Sequence, residues 1–468
     1  METKVYQARS VRGSSLWQCL WNKFEDFLVN HTQRHEKSHG FLRPIINEVV
    51  DKFLECGDLS KGFARIRCDD CAHEMLLSFS CKCRWFCPSC HQKKVQIFGE
   101  FVCEEVAFAV PHRQYVFTIP KVLRVYFRND RRLLSDLCLA ARDSLRLFFV
   151  EHLGLPKGKI GAVLAIHTFG DYLNFHPHVH MLVSDGLFIP SGLFYCMPPV
   201  DLQTLEELFR EHVLGFLVAK GKLDPVFAQK LRAWRHSGFG VHNGKVIAKD
   251  DRAGLERVAQ YIARNSFSES KMTYNEATGV VLYRSKSNYN TKRNFEVFTA
   301  EDFIAAITEH IPDKYFQNIR YYGWYSNKSR GLRAKQGREE QETPAQGSDE
   351  LDVIDVSDYK PPKRPTKHWR ELIKKVWNVD PLICPKCGEE MKVIALIDEP
   401  NVVKRILDHL GLWQIVCAAV RPRSPPITDR EAHLFPGEHD QYALALESPC
   451  SDGIDELPQE YLPTIVYD

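Results

Sequence analysis

Two cysteine pairs in the N-terminal quarter of the chain restrict its fold more than any other feature. CDDC occupies residues 68–71, CPSC occupies residues 87–90, and fifteen residues separate them. A Cys-x₂-Cys turn presents two thiolates to one tetrahedral zinc ion, and a loop of about 15–20 residues returns a second pair to complete the site. We therefore predict a structural zinc site formed by Cys68, Cys71, Cys87 and Cys90.

The segment around these pairs leaves some choices open. Cys81, Cys83 and His91 are nearby competitors for a ligand position, and four buried thiols without a metal are the simpler alternative. The surroundings are polar and basic, which disfavours buried thiols. The basic residues form either a DNA-contacting face or an ordinary solvated surface. They are Arg65, Arg67, Lys82, Arg84, Lys93 and Lys94.

The composition indicates a large intracellular protein. The chain has 468 residues, of which 44% are hydrophobic and 26% charged, and its 15 cysteines fit a reducing compartment in which paired cysteines bind metal. The net charge of +2 conceals basic clusters at residues 128–132, 283–293 and 327–338, which are suited to a polyanion. No apolar run reaches the roughly 18 residues of a membrane span, so we expect a cytoplasmic protein that does not bind membranes.

A histidine-rich strand raises the question of a second metal. Residues 174–183 read NFHPHVHMLV, and in an extended chain His178 and His180 project to one face while Val179, Met181 and Val183 project to the other. Paired imidazoles suggest a metal ligand set, although a half-exposed strand with hydrogen-bonded histidines explains the same pattern. The turn GDYLN at residues 170–174 predicts a hairpin with the preceding strand, residues 162–170, which makes the histidine strand an interior member of an antiparallel sheet.

A helix predicted within residues 250–266 carries a tyrosine flanked by arginines. The helical period places Tyr261 beside the apolar stripe, with Arg257 four residues before it and Arg264 three residues after it. Its phenol could attack a phosphodiester while the arginines hold the phosphate. Packing on a neighbouring surface is the simpler alternative. Three other tyrosines lie in the basic segment that follows, where stacking on bases is the more natural role; they are Tyr274, Tyr283 and Tyr289.

A third cysteine pair, CPKC at residues 384–387, lacks a downstream partner pair. Two thiolates cannot complete a tetrahedral site. Cys384 and Cys387 therefore form either a second zinc site completed by His368 or His409, or a turn with two free thiols.

Patterning and composition divide the chain into five regions. We predict a helical and Cys₄ zinc-binding domain at residues 1–110, with a helix from Leu16 to Thr32, and a catalytic domain at residues 111–330. A linker poor in large apolar residues follows at 331–365, then a CPKC-containing module at 366–415 and an acidic, poorly ordered tail at 416–468. Within the second region, strands and helices alternate in an order typical of an α+β fold.

The combined motifs resemble those of a known family. CDDC, CPSC, residues 116–133, HPHVH, YIAR at 261–264, RYYG at 320–323 and residues 380–388 occur in the order seen in rolling-circle transposases of the insertion-sequence ninety-one group. These transposases are HUH (His-hydrophobic-His) tyrosine nucleases. The resemblance spans roughly residues 40–415.

This resemblance implies both a fold and an activity. The fold is an HUH-type antiparallel sheet with helices, preceded by a zinc-ribbon-like N-terminal domain. In such an enzyme the paired histidines, here His178 and His180, hold Mg²⁺ or Mn²⁺, while a helix tyrosine, here Tyr261, cleaves single-stranded DNA and stays attached to its 5′ end. The expected partner is therefore single-stranded DNA, with hairpin-containing ends of a mobile element as the substrate.

One departure from the family pattern concerns the last turn of the tyrosine helix. Some members have two tyrosines one turn apart, whereas position 265 here is asparagine, so the chain resembles the single-tyrosine variants. Related nucleases complete the metal site with Gln or Glu at that turn. Asn265 and His176 are therefore competing candidates for the third metal ligand.

We interpret the chain as a transposase that cleaves and rejoins single-stranded DNA. The alternative is a non-catalytic zinc-containing DNA-binding protein in which the histidine strand is inert. A zinc hydrolase or nucleobase deaminase is a weaker alternative, since deaminases combine His-x-Glu with a downstream Pro-Cys-x-x-Cys, and position 180 here is histidine.

Overall fold

The structure, a computed structural model, describes residues 11–83, 85–234, 238–285, 294–335, 351–359, 370–371, 374 and 380–413. The predicted acidic tail at 416–468, His368 and most of the predicted linker lie outside these residues. Helices and antiparallel sheets combine as an α+β fold with an N-terminal cysteine cluster, which confirms the predicted fold class. Among the described helices, none is both long enough and apolar enough to cross a membrane.

The described helices are numbered here in chain order. They are α1 Ser15–Arg34, α2 Glu36–His39, α3 Pro44–Leu54, α4 Pro88–Phe101, α5 Lys121–Asn129, α6 Leu133–Leu153, α7 Gln203–Ala219, α8 Pro225–Ala233, α9 Arg252–Ile262, α10 Ala300–Glu309, α11 Asn327–Lys335 and α12 Pro400–His409. The predicted N-terminal helix is thus confirmed as α1. The helix predicted around Tyr261 is α9, which ends at Ile262 rather than at residue 264 or beyond.

The strands of the described residues form four antiparallel sheets. They are β1 Phe63–Cys68, β2 Glu74–Ser78, β3 His112–Thr118, β4 Gly161–Phe169, β5 Phe175–Ser184, β6 Gly186–Phe188, β7 Leu193–Cys196, β8 Gly240–Asn243, β9 Met272–Asn275, β10 Val280–Arg284, β11 Phe295–Thr299, β12 Ile319–Gly323, β13 Val353–Asp355 and β14 Met391–Ile397. The sheet orders are β14-β1-β2, β11-β10-β9, β12-β4-β5-β3-β8 and β13-β7-β6.

The five-stranded sheet is the centre of the molecule. The strands β4 and β5 form the predicted hairpin, and β5 pairs with β4 on one side and β3 on the other, as an interior strand must. Every residue of β4 is buried, because both faces of the sheet are covered. Continuous burial explains why β4 reads as an apolar run rather than as an alternating strand.

Different helices cover the two faces of this sheet. Val179, Met181 and Val183 of β5 belong to a core that includes residues of α5, α6, α7 and α8, as the strand period predicts. The opposite face packs against α4 and α9, and it buries Leu182 together with Val163 and Ala165 of β4. The histidines of β5 lie on this second face, beneath the helix that carries Tyr261.

The N-terminal region packs directly on the C-terminal half of the region predicted at residues 111–330. Buried side chains of α1, α3, β9, β10 and α10 share one core with several of the N-terminal cysteines. Arg43 donates hydrogen bonds to the carbonyl oxygens of Thr308 at 3.0 Å, Glu309 at 3.1 Å and Ile311 at 2.7 Å. A buried arginine therefore satisfies the free carbonyl groups where α10 ends.

Two late strands return to earlier parts of the chain. Within the segment predicted to be a linker, β13 pairs with β7, so this part of the segment is ordered against the preceding region. Farther on, β14 pairs antiparallel with β1, and Met391 lies opposite Cys68. The C-terminal residues thereby complete a sheet that begins in the N-terminal region.

Gly323, the last residue of the RYYG motif, provides a test of this packing. Its φ is +57°, and an added Cβ would overlap the carbonyl oxygen of Ile160. We expect Gly323→Ala to lower the unfolding free energy by roughly 3 kcal/mol, since backbone strain and a steric clash add. Gly221→Ala is the matched control because Gly221 has a φ of +64° with open space around it, so strain alone should cost about 1 kcal/mol. Equal shifts in thermal unfolding temperature for the two variants would contradict the close approach of β12 to Ile160.

Candidate catalytic and metal-binding site

Three buried histidines converge on the face of the central sheet that α9 covers. The antiparallel register places His167 of β4 directly opposite His178 of β5, and His180 lies two residues farther along β5. Their ring centroids are 4.4 Å apart for His167 and His180, 4.8 Å for His178 and His180, and 5.3 Å for His167 and His178. One ligand nitrogen from each ring lies within 4.8 Å of the other two.

Hydrogen bonds from the other ring nitrogens orient the three imidazoles. Nδ1 of His178 donates to the carbonyl oxygen of His176 at 2.8 Å, and Nε2 of His167 donates to the carbonyl oxygen of Ile262 at 2.8 Å. The side-chain amide of Gln114 lies 2.9 Å from Nδ1 of His180. These contacts leave Nε2 of His178, Nδ1 of His167 and Nε2 of His180 to face one another.

Two of the inward-facing nitrogens are buried polar atoms without a hydrogen-bond partner. Nδ1 of His167 and Nε2 of His180 form no hydrogen bond within the described residues. Burial lowers the pKa of His178 to about 4 and holds the pKa values of His167 and His180 well below the usual 6.5. All three rings are therefore neutral near pH 7, and neutral imidazole is the metal-binding form. The donor set fits a divalent cation.

Tyr261 lies directly over this histidine cluster. It occupies the last turn of α9, its side chain is buried, and its ring meets the ring of His180 edge-on with centroids 5.6 Å apart. The guanidinium carbon of Arg264 lies 4.5 Å from the centroid of the Tyr261 ring and 5.3 Å from that of Phe169. A fixed positive charge therefore stacks on the tyrosine beside the candidate metal site.

The predicted catalytic residues are brought together only in part. The structure places His178, His180, Tyr261 and Arg264 together, and it adds His167, which sequence reasoning missed. Counting from the GDYLN turn would not have found His167, because Phe169 pairs with Phe175 and an unbroken register would put His167 opposite Pro177. A register shift between His167 and Phe169 brings His167 opposite His178 instead. Arg257 lies one turn before Tyr261 on the exposed side of α9.

The two proposed third ligands lie outside the set of three nitrogens. Because α9 ends at Ile262, Asn265 does not follow Tyr261 by one helical turn, and its amide donates instead to the carbonyl oxygen of Phe86 at 3.3 Å. His176 flanks the cluster, with its ring 5.1 Å from that of His178, but its nitrogens are not among those within 4.8 Å of one another. In this geometry Asn265 is directed to Phe86, and the nitrogen that joins those of His178 and His180 belongs to His167.

The competing tyrosines occupy other environments. Tyr274 and Tyr283 are buried in the core shared with the N-terminal helices, and the hydroxyl of Tyr283 accepts a hydrogen bond from the backbone N–H of Ser268. Stacking on bases is incompatible with that burial. Tyr289 lies outside the described residues.

The predicted single four-cysteine site is wrong, because the structure divides its members between two clusters. Cys87 and Cys90 lie with Cys56 and Cys81, whereas Cys68 and Cys71 lie with Cys384 and Cys387. The reason is the path of the chain after β1. The CDDC turn closes the β1–β2 hairpin beside β14, and CPSC lies at the start of α4.

The first cluster is built around the N-terminus of α4. Its sulfur–sulfur distances are 3.9 Å from Cys56 to Cys87, 3.9 Å from Cys56 to Cys90 and 3.6 Å from Cys81 to Cys90. Four thiolates at about 2.3 Å from a zinc ion lie about 3.8 Å apart, whereas disulfide sulfurs lie about 2.05 Å apart. The cluster therefore has the dimensions of a tetrahedral zinc site.

Two of the competitors that the sequence suggested take other roles. Cys83 directs its sulfur toward the carbonyl oxygens of Val49 and Cys81, and His91 contacts the backbone on both of its ring nitrogens. Cys81 is a ligand candidate, as considered from the sequence. Cys56 was missed because it stands alone between α3 and β1, without a paired cysteine to mark it.

Comparisons with known proteins match two separate segments of the chain. Residues 27–119 match the family described as "Transposase zinc-binding domain", and residues 161–332 match the family described as "Putative transposase". The chain is 28% identical to the transposase for insertion sequence element IS801 from Pseudomonas savastanoi pv. phaseolicola, over 79% of this chain and 88% of that protein. It is 27% identical to "Putative transposase y4qJ" from Sinorhizobium fredii (strain NBRC 101917 / NGR234), over 67% of this chain and 83% of that protein. No solved structure matches it significantly.

The first cysteine cluster predicts how zinc content responds to substitution. Cys56→Ser should remove one equivalent of zinc per chain and lower the thermal unfolding temperature, because metal binding and folding are coupled in such sites. Cys83→Ser is the matched control, since Cys83 is as buried as Cys56 and lies two residues from Cys81, but it is not a member of the cluster. Metal analysis of the purified proteins measures the difference, and equal zinc in both variants would exclude Cys56 as a ligand.

Proposed function

We propose that this chain, which belongs with the insertion-sequence transposases that carry an N-terminal zinc-binding domain, cleaves and rejoins single-stranded DNA through a covalent 5′-phosphotyrosine. The family matches and the two relatives confirm the predicted resemblance to such transposases, and both relatives are named as transposases. The observation that carries the proposal is the edge-on contact between the rings of Tyr261 and His180. His180 belongs to the cluster of three histidines, and Arg264 stacks on the Tyr261 ring.

The proposed chemistry is a transesterification. The phenolic oxygen of Tyr261 attacks the phosphorus of a phosphodiester, the bond from phosphorus to the 3′ oxygen breaks, and the proton released by the phenol ends on that 3′ oxygen. The 5′ phosphate remains on the tyrosine. A 3′ hydroxyl of a second strand reverses the step and releases the phenol, so strand joining needs no nucleotide cofactor.

Two arginines can supply positive charge for this reaction. Arg264 stacks on the Tyr261 ring, and its Nε is buried without a hydrogen-bond partner among the described residues, so the guanidinium is available to a phosphate oxygen. Arg257 is exposed one helical turn earlier, where it can contact the DNA backbone. A chain with a single tyrosine in this position makes one covalent bond at a time.

His167, His178 and His180 would hold the catalytic cation. When bound, a divalent ion there would polarise the phosphoryl oxygen of the scissile phosphate. Imidazole ligands bind a transition ion such as Mn²⁺ more readily than Mg²⁺, which prefers oxygen ligands. We therefore favour Mn²⁺ of the two cations that the resemblance implies.

A groove on the outer edge of the central sheet supports a path for single-stranded DNA. It is an open cavity of about 430 Å³ beside the edge strand β12, lined by Gln317, Ile319, Arg320, Tyr321, Tyr322 and Asn327. Arginines stack on its tyrosines, with Arg142 at 5.2 Å from the Tyr322 ring and Arg330 at 5.7 Å from the Tyr321 ring. Aromatic and cationic side chains of this kind bind bases and phosphates of an unpaired strand. Hairpin-containing ends of a mobile element are the substrate we propose.

Tyr261→Phe tests the nucleophile. The change removes only the hydroxyl, so the ring packing against His180 should persist and stability should change by no more than about 1 kcal/mol. Incubation with a labelled single-stranded oligonucleotide of the element end and Mn²⁺ should give an adduct resistant to SDS with the unsubstituted protein and none with the variant.

Tyr274→Phe is the matched control, because Tyr274 is a buried tyrosine in the core shared with the N-terminal helices, not in the core that contains Tyr261, and the variant should form the adduct normally. Peptide mapping of the trapped adduct identifies the attachment site. DNA on a different tyrosine would overturn the role of Tyr261, and the absence of any adduct would favour a non-catalytic DNA-binding protein.

The histidine cluster predicts that DNA cleavage and DNA binding separate. His167→Ala, His178→Ala and His180→Ala should each reduce adduct formation at least a hundredfold while changing the DNA dissociation constant less than threefold, because backbone contacts supply most of the affinity. His176→Ala is the comparison, since His176 lies outside the cluster. Normal cleavage by the His167 variant would exclude this residue from the metal site.

A further inference from the structure

We propose that Cys68, Cys71, Cys384 and Cys387 bind a second zinc ion, which joins the C-terminal segment of the chain to its N-terminal domain. The match to the transposase zinc-binding domain ends at residue 119, so two of these four cysteines lie far outside it. The ligands come from positions more than 300 residues apart, with 313 residues of separation between Cys71 and Cys384. The proposal is independent of the DNA-cleaving activity.

The sulfur positions fit zinc better than disulfides. The sulfur of Cys68 lies 3.4 Å from that of Cys387, and the sulfur of Cys71 lies 3.5 Å from that of Cys384. All four sulfurs lie within 4.8 Å of one another. Zinc-bound thiolates are about 3.8 Å apart, and a disulfide requires about 2.05 Å.

The backbone of both turns is shaped to present two thiolates each. The residue after the second cysteine has a positive φ in both turns, +54° for Ala72 and +83° for Gly388. The N–H of Cys68 donates to the carbonyl oxygen of His73 at 2.8 Å, and the N–H of Cys384 donates to the carbonyl oxygen of Glu389, also at 2.8 Å. Two tight turns of similar form thus face each other across one site, an arrangement typical of zinc ribbons.

Packing alone gives this region little stability. The core beneath the cysteines contains Ile66, Cys68, Cys384 and Met391 as its buried members. On β14, Leu396 is 71% exposed, Val393 47% and Ile394 45%. A second core against the same sheet has only Phe63, Val403 and Leu407 as buried members, and so small a buried apolar surface usually requires a metal for stability.

Zinc stoichiometry of the full-length protein tests the second site. Metal analysis should find two equivalents in the unsubstituted chain and one fewer in Cys387→Ser and in Cys71→Ser, both of which change exposed side chains. Cys387→His should retain the second equivalent, because histidine is also a zinc ligand. Cys196→Ser, which changes a cysteine outside both clusters, should retain both.

Cobalt substitution provides a second measurement. The absorption of tetrahedral thiolate-bound Co²⁺ should fall by about half in Cys387→Ser and remain unchanged in Cys196→Ser. Unaltered zinc content in both Cys71→Ser and Cys387→Ser would overturn the second site.

A second inference concerns a residue beside the first cysteine cluster, and it rests on the proposed role of Tyr261. We infer that His91 is a positioning residue that fixes the last turn of α9. Nε2 of His91 donates to the carbonyl oxygen of Ala263 at 2.7 Å, and its Nδ1 accepts the backbone N–H of Trp85 at 3.0 Å. Cys90, the preceding residue, is a ligand candidate of the first cluster.

The end of α9 is therefore held from two directions. A helix leaves its last carbonyl groups without internal partners. His167 of the histidine cluster donates to the carbonyl oxygen of Ile262, and His91 of the zinc-binding domain donates to that of the next residue, Ala263. Tyr261 immediately precedes this pair, so its position over His180 depends on both imidazoles.

His91→Ala tests this inference through a split between rate and affinity. At saturating single-stranded oligonucleotide, the variant should form the covalent adduct at least tenfold more slowly, with zinc content and DNA dissociation constant unchanged. His91→Gln should restore part of the rate, since its amide N–H can donate to the same carbonyl oxygen.

A normal adduct rate in His91→Ala would overturn the positioning role while leaving the proposed function intact. Loss of zinc in His91→Ala would also overturn it, because His91 would then be part of the metal site. If the unsubstituted protein forms no adduct at all, the proposed function itself fails.

Discussion

The antiparallel pairing of β4 with β5 is the interaction on which the rest of the site depends. It places His167 opposite His178, on the face of the sheet that α4 and α9 cover, so that these rings lose contact with water. A shift of one residue in this register would turn the β5 histidines toward the opposite core and bring Val179 and Met181 to the face that α9 covers. The hairpin therefore determines which side chains Tyr261 meets, and α9 adds its tyrosine to a ligand set that the sheet has already assembled.

Local patterns were sufficient to predict much of this arrangement. The alternation of NFHPHVHMLV assigned His178 and His180 to one face, the GDYLN turn predicted the hairpin, and helical periodicity identified the helix of Tyr261. Each of these inferences depends on residues close together in sequence, where backbone geometry alone relates one side chain to the next. The resemblance to transposases depended on the order of motifs and is confirmed by comparison with related proteins.

The failures share a physical cause, which is that they concern contacts between distant segments. The spacing of CDDC and CPSC is compatible with one zinc site, but no local rule reveals that β14 pairs with β1 and brings Cys384 and Cys387 to Cys68 and Cys71. Cys56 carries no motif. The position of Asn265 followed from extending α9 by one turn, whereas the helix ends where His167 and His91 donate to its last carbonyl groups. Tertiary hydrogen bonds determine that boundary, and they are not encoded in helical periodicity.

The pairing of β14 with β1 also means that the zinc-binding domain defined by sequence differs from the unit that exists in space. A fragment cut at residue 119 would retain β1 and β2 but would lack the strand on the other side of β1. The backbone N–H and C=O groups of β1 would then form an open sheet edge, which is a surface prone to pair with other chains and aggregate. A C-terminal peptide covering residues 380–413, supplied alongside such a fragment, would cover this edge, whereas the apolar faces of α1 and α3 that pack on β9, β10 and α10 would stay exposed.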